Sequence, residues 1–77
     1  MINDIPRTFV GSTTFRVDGM TCDHCRRAVT TEITAVPGVD SVAVDLPTGT
    51  VTVSAAVPVD RSDIAAAVDE AGYTLRP

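Results

Sequence analysis

The stretch that decides the fold is VDSVAVDLPTGTVTVSAAV, residues 39–57, in which two runs of alternating apolar residues flank a short turn. The apolar positions are Val42, Val44, Leu46, Val51, Val53, Ala55 and Val57. A period of two residues indicates half-buried strands, and the connecting Pro47-Thr48-Gly49 contains residues that favour turns. The stretch therefore predicts a hairpin of two antiparallel strands.

A helix is predicted on each side of this hairpin. Between Asp23 and Val36 the apolar residues recur at spacings of three and four, the period of an amphipathic helix that faces a core. Downstream, Asp60 is a suitable N-cap for a second helix. The apolar stripes of the two helices are Cys25, Ala28, Val29, Ile33 and Val36, and then Ile64, Ala67, Val68 and Ala71. Gly38 and Gly72 follow the two helices as stop signals.

A strand at each outer end completes the pattern. From Thr13, the apolar Phe15 and Val17 alternate with polar neighbours, and residues 73–76 have room for one short closing strand. The order β-α-β-β-α-β predicts an α+β, ferredoxin-like fold, with a four-stranded antiparallel sheet and both helices on one face. We assign residues 13–77 to this domain and residues 1–12, which lack periodicity, to a flexible N-terminal tail.

Composition excludes several function classes. The 77 residues are 44% hydrophobic and 21% charged, as in an ordinary single globular domain. The net charge is −4, which argues against binding to nucleic acid. No apolar run approaches the ~20 residues of a membrane span, and no secretory signal is evident, so we expect a cytoplasmic protein without membrane insertion.

The motif GMTCDHC, residues 19–25, carries the chemistry, because it places two thiols three positions apart where the first strand meets the first helix. The start of a helix favours negative charge, so thiolates form readily there. Soft thiolates select Cu(I), zinc and related ions over magnesium or calcium. A structural zinc site usually takes four ligands, whereas this chain offers two cysteines and one histidine, a donor set that suits Cu(I).

In this setting GMTCDHC, together with Ala-Gly-Tyr before the last strand, resembles the heavy-metal-associated domain family. Its members include bacterial cytosolic copper chaperones and the amino-terminal domains of copper-transporting P-type ATPases. The resemblance covers about residues 13–77 and implies that Cys22 and Cys25 bind Cu(I). It further implies that Met20 packs beneath the loop and that Tyr73 lies near the metal.

The resemblance also implies a function and its partners. A chaperone of this kind passes Cu(I) by ligand exchange to a copper-transporting P-type ATPase, through the metal-binding domain of that enzyme, and a copper-sensing repressor is a further candidate. Zinc-type members tend to have aspartate just before the first cysteine, where this chain has Thr21. With one histidine and no paired acids in view, we expect no enzymatic activity.

Several alternatives stay open at the level of sequence. His24 is either an exposed residue of the loop or a third ligand, and Arg26 and Arg27 either face solvent or dock a partner. Two chains can also share copper through four cysteines as a homodimer. Other functions for the same motif are a site for Hg(II), Zn(II) or Cd(II), a metal-binding domain excised from an ATPase, and a dithiol redox switch.

Overall fold

The computed structural model describes residues 8–76, which form four strands and two helices in the predicted order. The elements are β1 (Thr8–Asp18), α1 (Asp23–Thr34), β2 (Val39–Asp45), β3 (Thr50–Asp60), α2 (Arg61–Glu70) and β4 (Thr74–Arg76). The sheet order is β2-β3-β1-β4, and every pairing is antiparallel. One core joins the two helices to the sheet, so the ferredoxin-like prediction is confirmed.

The core is built from the residues whose periodicity predicted the elements. The largest side chains that are fully buried come from the two helices and from β3: Val29, Ile33, Val51, Val53, Ile64 and Val68. Burial of such a side chain contributes roughly 1.5–3 kcal/mol. Because this core joins α1 to the sheet, it fixes the short loop of residues 19–22 between β1 and α1.

The two helices begin differently. At α2 the side chain of Asp60 accepts a hydrogen bond of 2.8 Å from the amide of Ser62, as the N-cap prediction requires. At α1 the N-cap residue is Cys22, whose side chain makes no capping hydrogen bond. A thiol therefore occupies the position at the start of α1 where α2 has a carboxylate.

The start of the domain differs from the prediction. β1 begins at Thr8 instead of Thr13, and Phe9 is buried opposite Val59 of β3. The predicted tail is therefore wrong over residues 8–12, and its remainder, residues 1–7, lies outside the described residues. The sequence hid this extension because the β1–β3 register shifts between Phe9 and Gly11, which interrupts the alternation.

The same irregularity also affects one apolar residue of the predicted hairpin. Val57, which continues the apolar alternation of β3 in sequence, is 52% exposed, because it lies opposite the register shift.

Within residues 8–76, neither helix has the length and apolar character needed to cross a membrane.

Candidate metal centre

The loop of residues 19–22 is held from below and from one side. Gly19 has a φ of +96°, and a Cβ atom at this position would lie 3.1 Å from Cδ1 of Tyr73. A residue with a side chain would therefore be strained and would crowd the tyrosine ring. Met20 is buried in the core, 7% exposed, where it supports the loop from within.

The two thiols of the motif lie together but in different surroundings. The Sγ atoms of Cys22 and Cys25 are 3.3 Å apart, and both cysteines are free. This separation far exceeds the ~2.05 Å of a disulfide bond. Cys22 is exposed at the N-cap of α1, whereas Cys25 is buried in the first turn of the helix. The site thus combines one sulfur that solvent can reach with one that the protein surrounds.

Hydrogen bonds stabilise the thiolate form of Cys25. The pKa of Cys25 is lowered from 9.0 to about 6, although burial acts in the opposite direction. The largest contribution is the hydrogen bond from the amide of Thr21, followed by those from the hydroxyl of Tyr73 and the thiol of Cys22. A thiol with this pKa is mostly ionised at neutral pH. Because the thiolate is the form of cysteine that binds soft metals, the lowered pKa gives Cys25 the chemistry of such a ligand.

Tyr73 supplies one of these donors from the opposite side of the site. It directly follows α2, and its amide donates a hydrogen bond of 3.1 Å to the carbonyl of Val68. The bond between its hydroxyl and the sulfur of Cys25, together with burial, raises the pKa of Tyr73 above its ordinary value of 10. The tyrosine therefore keeps its proton and donates a hydrogen bond to the sulfur. The sequence analysis predicted only that Tyr73 lies near the metal.

His24 is separated from this group. It is exposed within α1 and lines a shallow groove between the two helices, together with residues such as Arg27 and Glu70. Within residues 8–76, no three side chains of the His, Cys, Asp and Glu types are placed together so as to hold a metal ion. The structure thus brings Cys22, Cys25 and Tyr73 together and leaves His24 on the surface of the helix.

Asp23 organises the charges that follow the first cysteine, which the sequence interpretation missed. Its Oδ1 atom accepts hydrogen bonds from Nε and Nη2 of Arg26 at 2.7 and 2.6 Å, and its Oδ2 atom lies 3.6 Å from Nε of Arg27. The bond from Arg26, above all, holds the pKa of Asp23 below its usual value. The spacings of three and four residues along a helix were the available signal.

Comparison with known proteins agrees with this geometry. The model of the heavy-metal-associated domain matches residues 14–74. The chain is 44% identical over 63 residues to the copper chaperone CopZ of Bacillus subtilis (strain 168), which covers 80% of this chain and 91% of the chaperone. It is 45% identical over 65 residues to copper-transporting ATPase 2 of Rhizobium meliloti (strain 1021), covering 84% of this chain but only 8% of the ATPase.

Solved structures show the same relationship at the level of the fold. A CopZ metallochaperone superposes with a TM-score of 0.81 at 31% identity, over 86% of this chain and all of the other. The N-terminal domain of ZntA in its Zn(II) form superposes with a TM-score of 0.75 at 32% identity, over 92% of both chains. The family match spans the strand, the thiol-bearing loop and both helices, and on this basis the chain belongs to the heavy-metal-associated domain family.

Proposed function

We propose that this chain is a copper(I) chaperone that binds one Cu(I) between the sulfurs of Cys22 and Cys25 and passes it to a partner by ligand exchange. The observation that carries the proposal is the pair of free thiols 3.3 Å apart, with the pKa of Cys25 lowered to about 6. Two thiolates at one point of the surface form a soft site for a monovalent ion. The similarity to CopZ supports the same reading.

The unequal exposure of the two cysteines suggests an order for the transfer. Cys22 is the sulfur that an incoming thiolate can approach, whereas Cys25 is buried and held by hydrogen bonds from Thr21 and Tyr73. A partner thiolate joins the ion to form a three-sulfur intermediate, Cys22 leaves first, and Cys25 follows after a second partner thiolate binds. Each step replaces one sulfur by another, so no redox change is needed.

The choice of Cu(I) over zinc rests on the number of donors. Zinc usually requires four ligands, and the described residues offer the two thiols without a third donor of the His, Cys, Asp or Glu types beside them. His24 acts in this proposal as an accessory surface residue near the site. Zn(II), Cd(II) and Hg(II) are the competing ions, and the ZntA domain makes zinc the first of them to test.

The proposed partner is a copper-transporting P-type ATPase, encountered in the reducing cytoplasm through its metal-binding domain. Arg26 and Arg27 follow the thiols on α1 and offer positive charge to an acidic partner surface. A copper-sensing repressor is a second recipient, and a homodimer bridged by copper through four cysteines is a third state of the same site. A weak, transient contact suffices for exchange.

The second candidate function is that of a metal-binding domain of an ATPase, because the chain is 45% identical to the Rhizobium ATPase and 44% identical to the Bacillus chaperone. Such a domain would receive the ion and not deliver it. The direction is tested by mixing the copper-loaded chain with metal-free partner domain and measuring the distribution of copper after separation.

The first experiment is an anaerobic titration of the reduced protein with Cu(I) against a bicinchoninate competitor, with Zn(II) in parallel. We expect one Cu(I) per chain, lost in the Cys22→Ser, Cys25→Ser variant and retained in Ala66→Ser, a matched control on the exposed face of α2. Zinc-preferring binding would overturn the copper assignment. Weak binding of every metal, with a reduction potential in the cytosolic range, would instead indicate a redox switch.

A further inference from the structure

One edge of the sheet is open along most of β1 within the described residues. β3 pairs with one side of β1 from Thr8 to Arg16, whereas β4 pairs with the other side only at Arg16, Val17 and Asp18. Residues 8–15 therefore have a strand neighbour on a single side in the part of the chain that the structure describes. An open edge presents unpaired N–H and C=O groups in a row.

The hydrogen-bond pattern identifies the groups that face this open side. In an antiparallel ladder, successive residues direct their peptide groups alternately to the two neighbours. The amide of Val17 donates to the carbonyl of Gly49 beside β3 at 2.8 Å, so odd-numbered residues of β1 face β3. The peptide groups of Ser12 and Thr14 consequently point to the open side, as do those of Val10 beyond the register shift.

This edge lacks the charges that commonly protect an edge strand. Residues 9–15 of β1 and the facing residues 51–59 of β3 contain no charged side chain, and we call these two segments the neutral arm; Asp60 faces Thr8 just beyond its end. The opposite edge of the sheet is formed by β2 and carries Asp40 and Asp45, which repel a like edge. The register shift and the φ of +84° at Gly11 interrupt the arm beside Val10, whereas the pairing of β1 with β3 continues without a shift from Gly11 to Phe15.

The neutral arm also carries exposed apolar surface. Within residues 8–76, the large hydrophobic side chains that are exposed are Val10, at 61%, and Val57, at 52%, and both lie on the arm. Two hydroxyl pairs also join the strands of the arm, Ser12 with Ser54 at 3.0 Å and Thr14 with Thr52 at 3.1 Å. An open, uncharged edge with an exposed valine beside it is suited to pairing with another strand.

We propose that the open edge of β1 pairs with the same edge of a second copy of this chain, without metal, so that the two sheets join through their β1 strands. The chain has a net charge of −4, so two copies avoid repulsion best at a surface free of charge, and the neutral arm is such a surface. A symmetric antiparallel register about Gly11 places Val10 of one copy opposite Ser12 of the other and Thr8 opposite Thr14, and it leaves Arg16 paired with Arg76 of β4. This register uses every open peptide group identified above and covers the exposed valine.

The arrangement leaves both thiol pairs free. β1 runs toward the loop that bears Cys22, and two antiparallel copies of β1 run in opposite directions. The two loops therefore lie at opposite ends of the joined sheet. This metal-independent dimer is distinct from the copper-bridged dimer, in which the two thiol ends meet, and it does not depend on the identity of the metal.

Sedimentation of the reduced Cys22→Ser, Cys25→Ser variant with chelator tests the proposal, because copper bridging is impossible there. Between about 10 μM and about 1 mM, the range of a weak interface, we expect the mass to rise from 8.1 kDa toward twice that value. Val10→Asp should remain monomeric throughout. Ala43→Asp, which adds the same charge at an exposed position on β2, should dimerise as before.

Amide exchange followed by NMR locates the contact. We expect the amides of Ser12 and Thr14 to exchange more slowly as the concentration rises, and this concentration dependence to vanish in Val10→Asp. A monomer at every concentration would overturn the proposal. So would a dimer that Val10→Asp leaves intact, or protection that grows at β2 instead of β1.

Discussion

The two ends of β1 differ in charge and exposure, although they belong to one strand. The thiol end adjoins ion pairs, Asp18 with Arg76 and Asp23 with Arg26, and displays an exposed sulfur. The neutral arm has no charge of its own and buries Phe9. The two thiols thus lie at one end of β1, where the loop meets α1, whereas the other end of the strand contributes to the core. Copper affinity and stability should therefore respond to different residues.

The core contribution of the arm is specific in its geometry. The rings of Phe9 and Phe15 meet edge to face with centroids 5.5 Å apart, and the guanidinium of Arg61 lies 5.8 and 5.6 Å from the two centroids. Aromatic pairs and cation–π contacts of this kind add to the burial of the rings. The arm thus contacts α2 through Arg61, which is distant in sequence from the loop that bears Cys22.

The largest effect that would separate the two ends is the loss of a sulfur. We expect Cys22→Ala and Cys25→Ala each to weaken Cu(I) binding by more than about 100-fold, the upper end of what the neighbours of a metal ligand contribute. Only Cys25→Ala should also lower the urea midpoint, because Cys22 is exposed and Cys25 is buried. Equal loss of stability in both variants would show that the exposed thiol supports the fold.

The next largest effect is expected at the other end of β1, where a substitution should lower stability and leave copper affinity almost unchanged. Phe9→Ala removes a ring that is 8% exposed, and we expect it to reduce the free energy of unfolding by about 3 kcal/mol. Copper affinity should stay within about threefold, since the loop is unchanged. Val10→Ala is the matched control, because this neighbouring side chain is 61% exposed and in dilute solution should cost less than about 0.5 kcal/mol.

The sequence was informative where its periodicity was regular and uninformative where it was not. Val51, Val53 and Ala55 alternate without interruption, and the hairpin and the order of elements followed from such patterns. Phe9 was missed because the register shift at Gly11 breaks the period that would have joined it to Phe15. A strand that is irregular in its pairing leaves no regular pattern in its sequence.

Within the site, the sequence located the thiols but not their unequal surroundings. The spacing of Cys22 and Cys25 is visible in sequence, whereas the donors to Cys25 come from the amide of Thr21 and from Tyr73, some fifty positions away. A backbone amide has no signature in sequence, and the tyrosine reaches the sulfur only through the fold. The difference in pKa behaviour therefore required the structure.

A smaller effect is expected in the pH dependence of the Cys25 thiolate. Tyr73→Phe removes a hydrogen bond to Cys25, so we expect the pKa of Cys25 to rise above about 6, measured by thiolate absorbance of the reduced, metal-free protein and referenced to Cys25→Ser. In the unaltered chain, folding lowers this pKa from 9.0, so the thiolate's contribution to stability is complete above pH 9 and is lost as the pH falls through about 6. In the variant, this contribution should be lost at a higher pH than in the unaltered chain.

An unchanged thiolate titration in Tyr73→Phe would assign the effect to the amide of Thr21, the first of the donors. A change in the pH dependence of unfolding without a change in the titration would instead point to altered packing of the ring beside Gly19. Phe9→Ala is the control from the arm, because it should lower stability equally at pH 6 and pH 9.

The smallest effect concerns the charges beside the thiols. Asp23→Asn removes the acceptor shared by Arg26 and Arg27, yet all three side chains are largely open to solvent, which screens their interaction. We expect no resolvable change in the urea midpoint and a change of less than about threefold in Cu(I) affinity. The rate of transfer to an acidic partner domain should rise at low salt, because the arginines lose an internal counter-charge. A tenfold change in affinity would contradict this and would mean that Asp23 controls the thiolates through the arginines, so that the charges of the thiol end form part of the binding site itself.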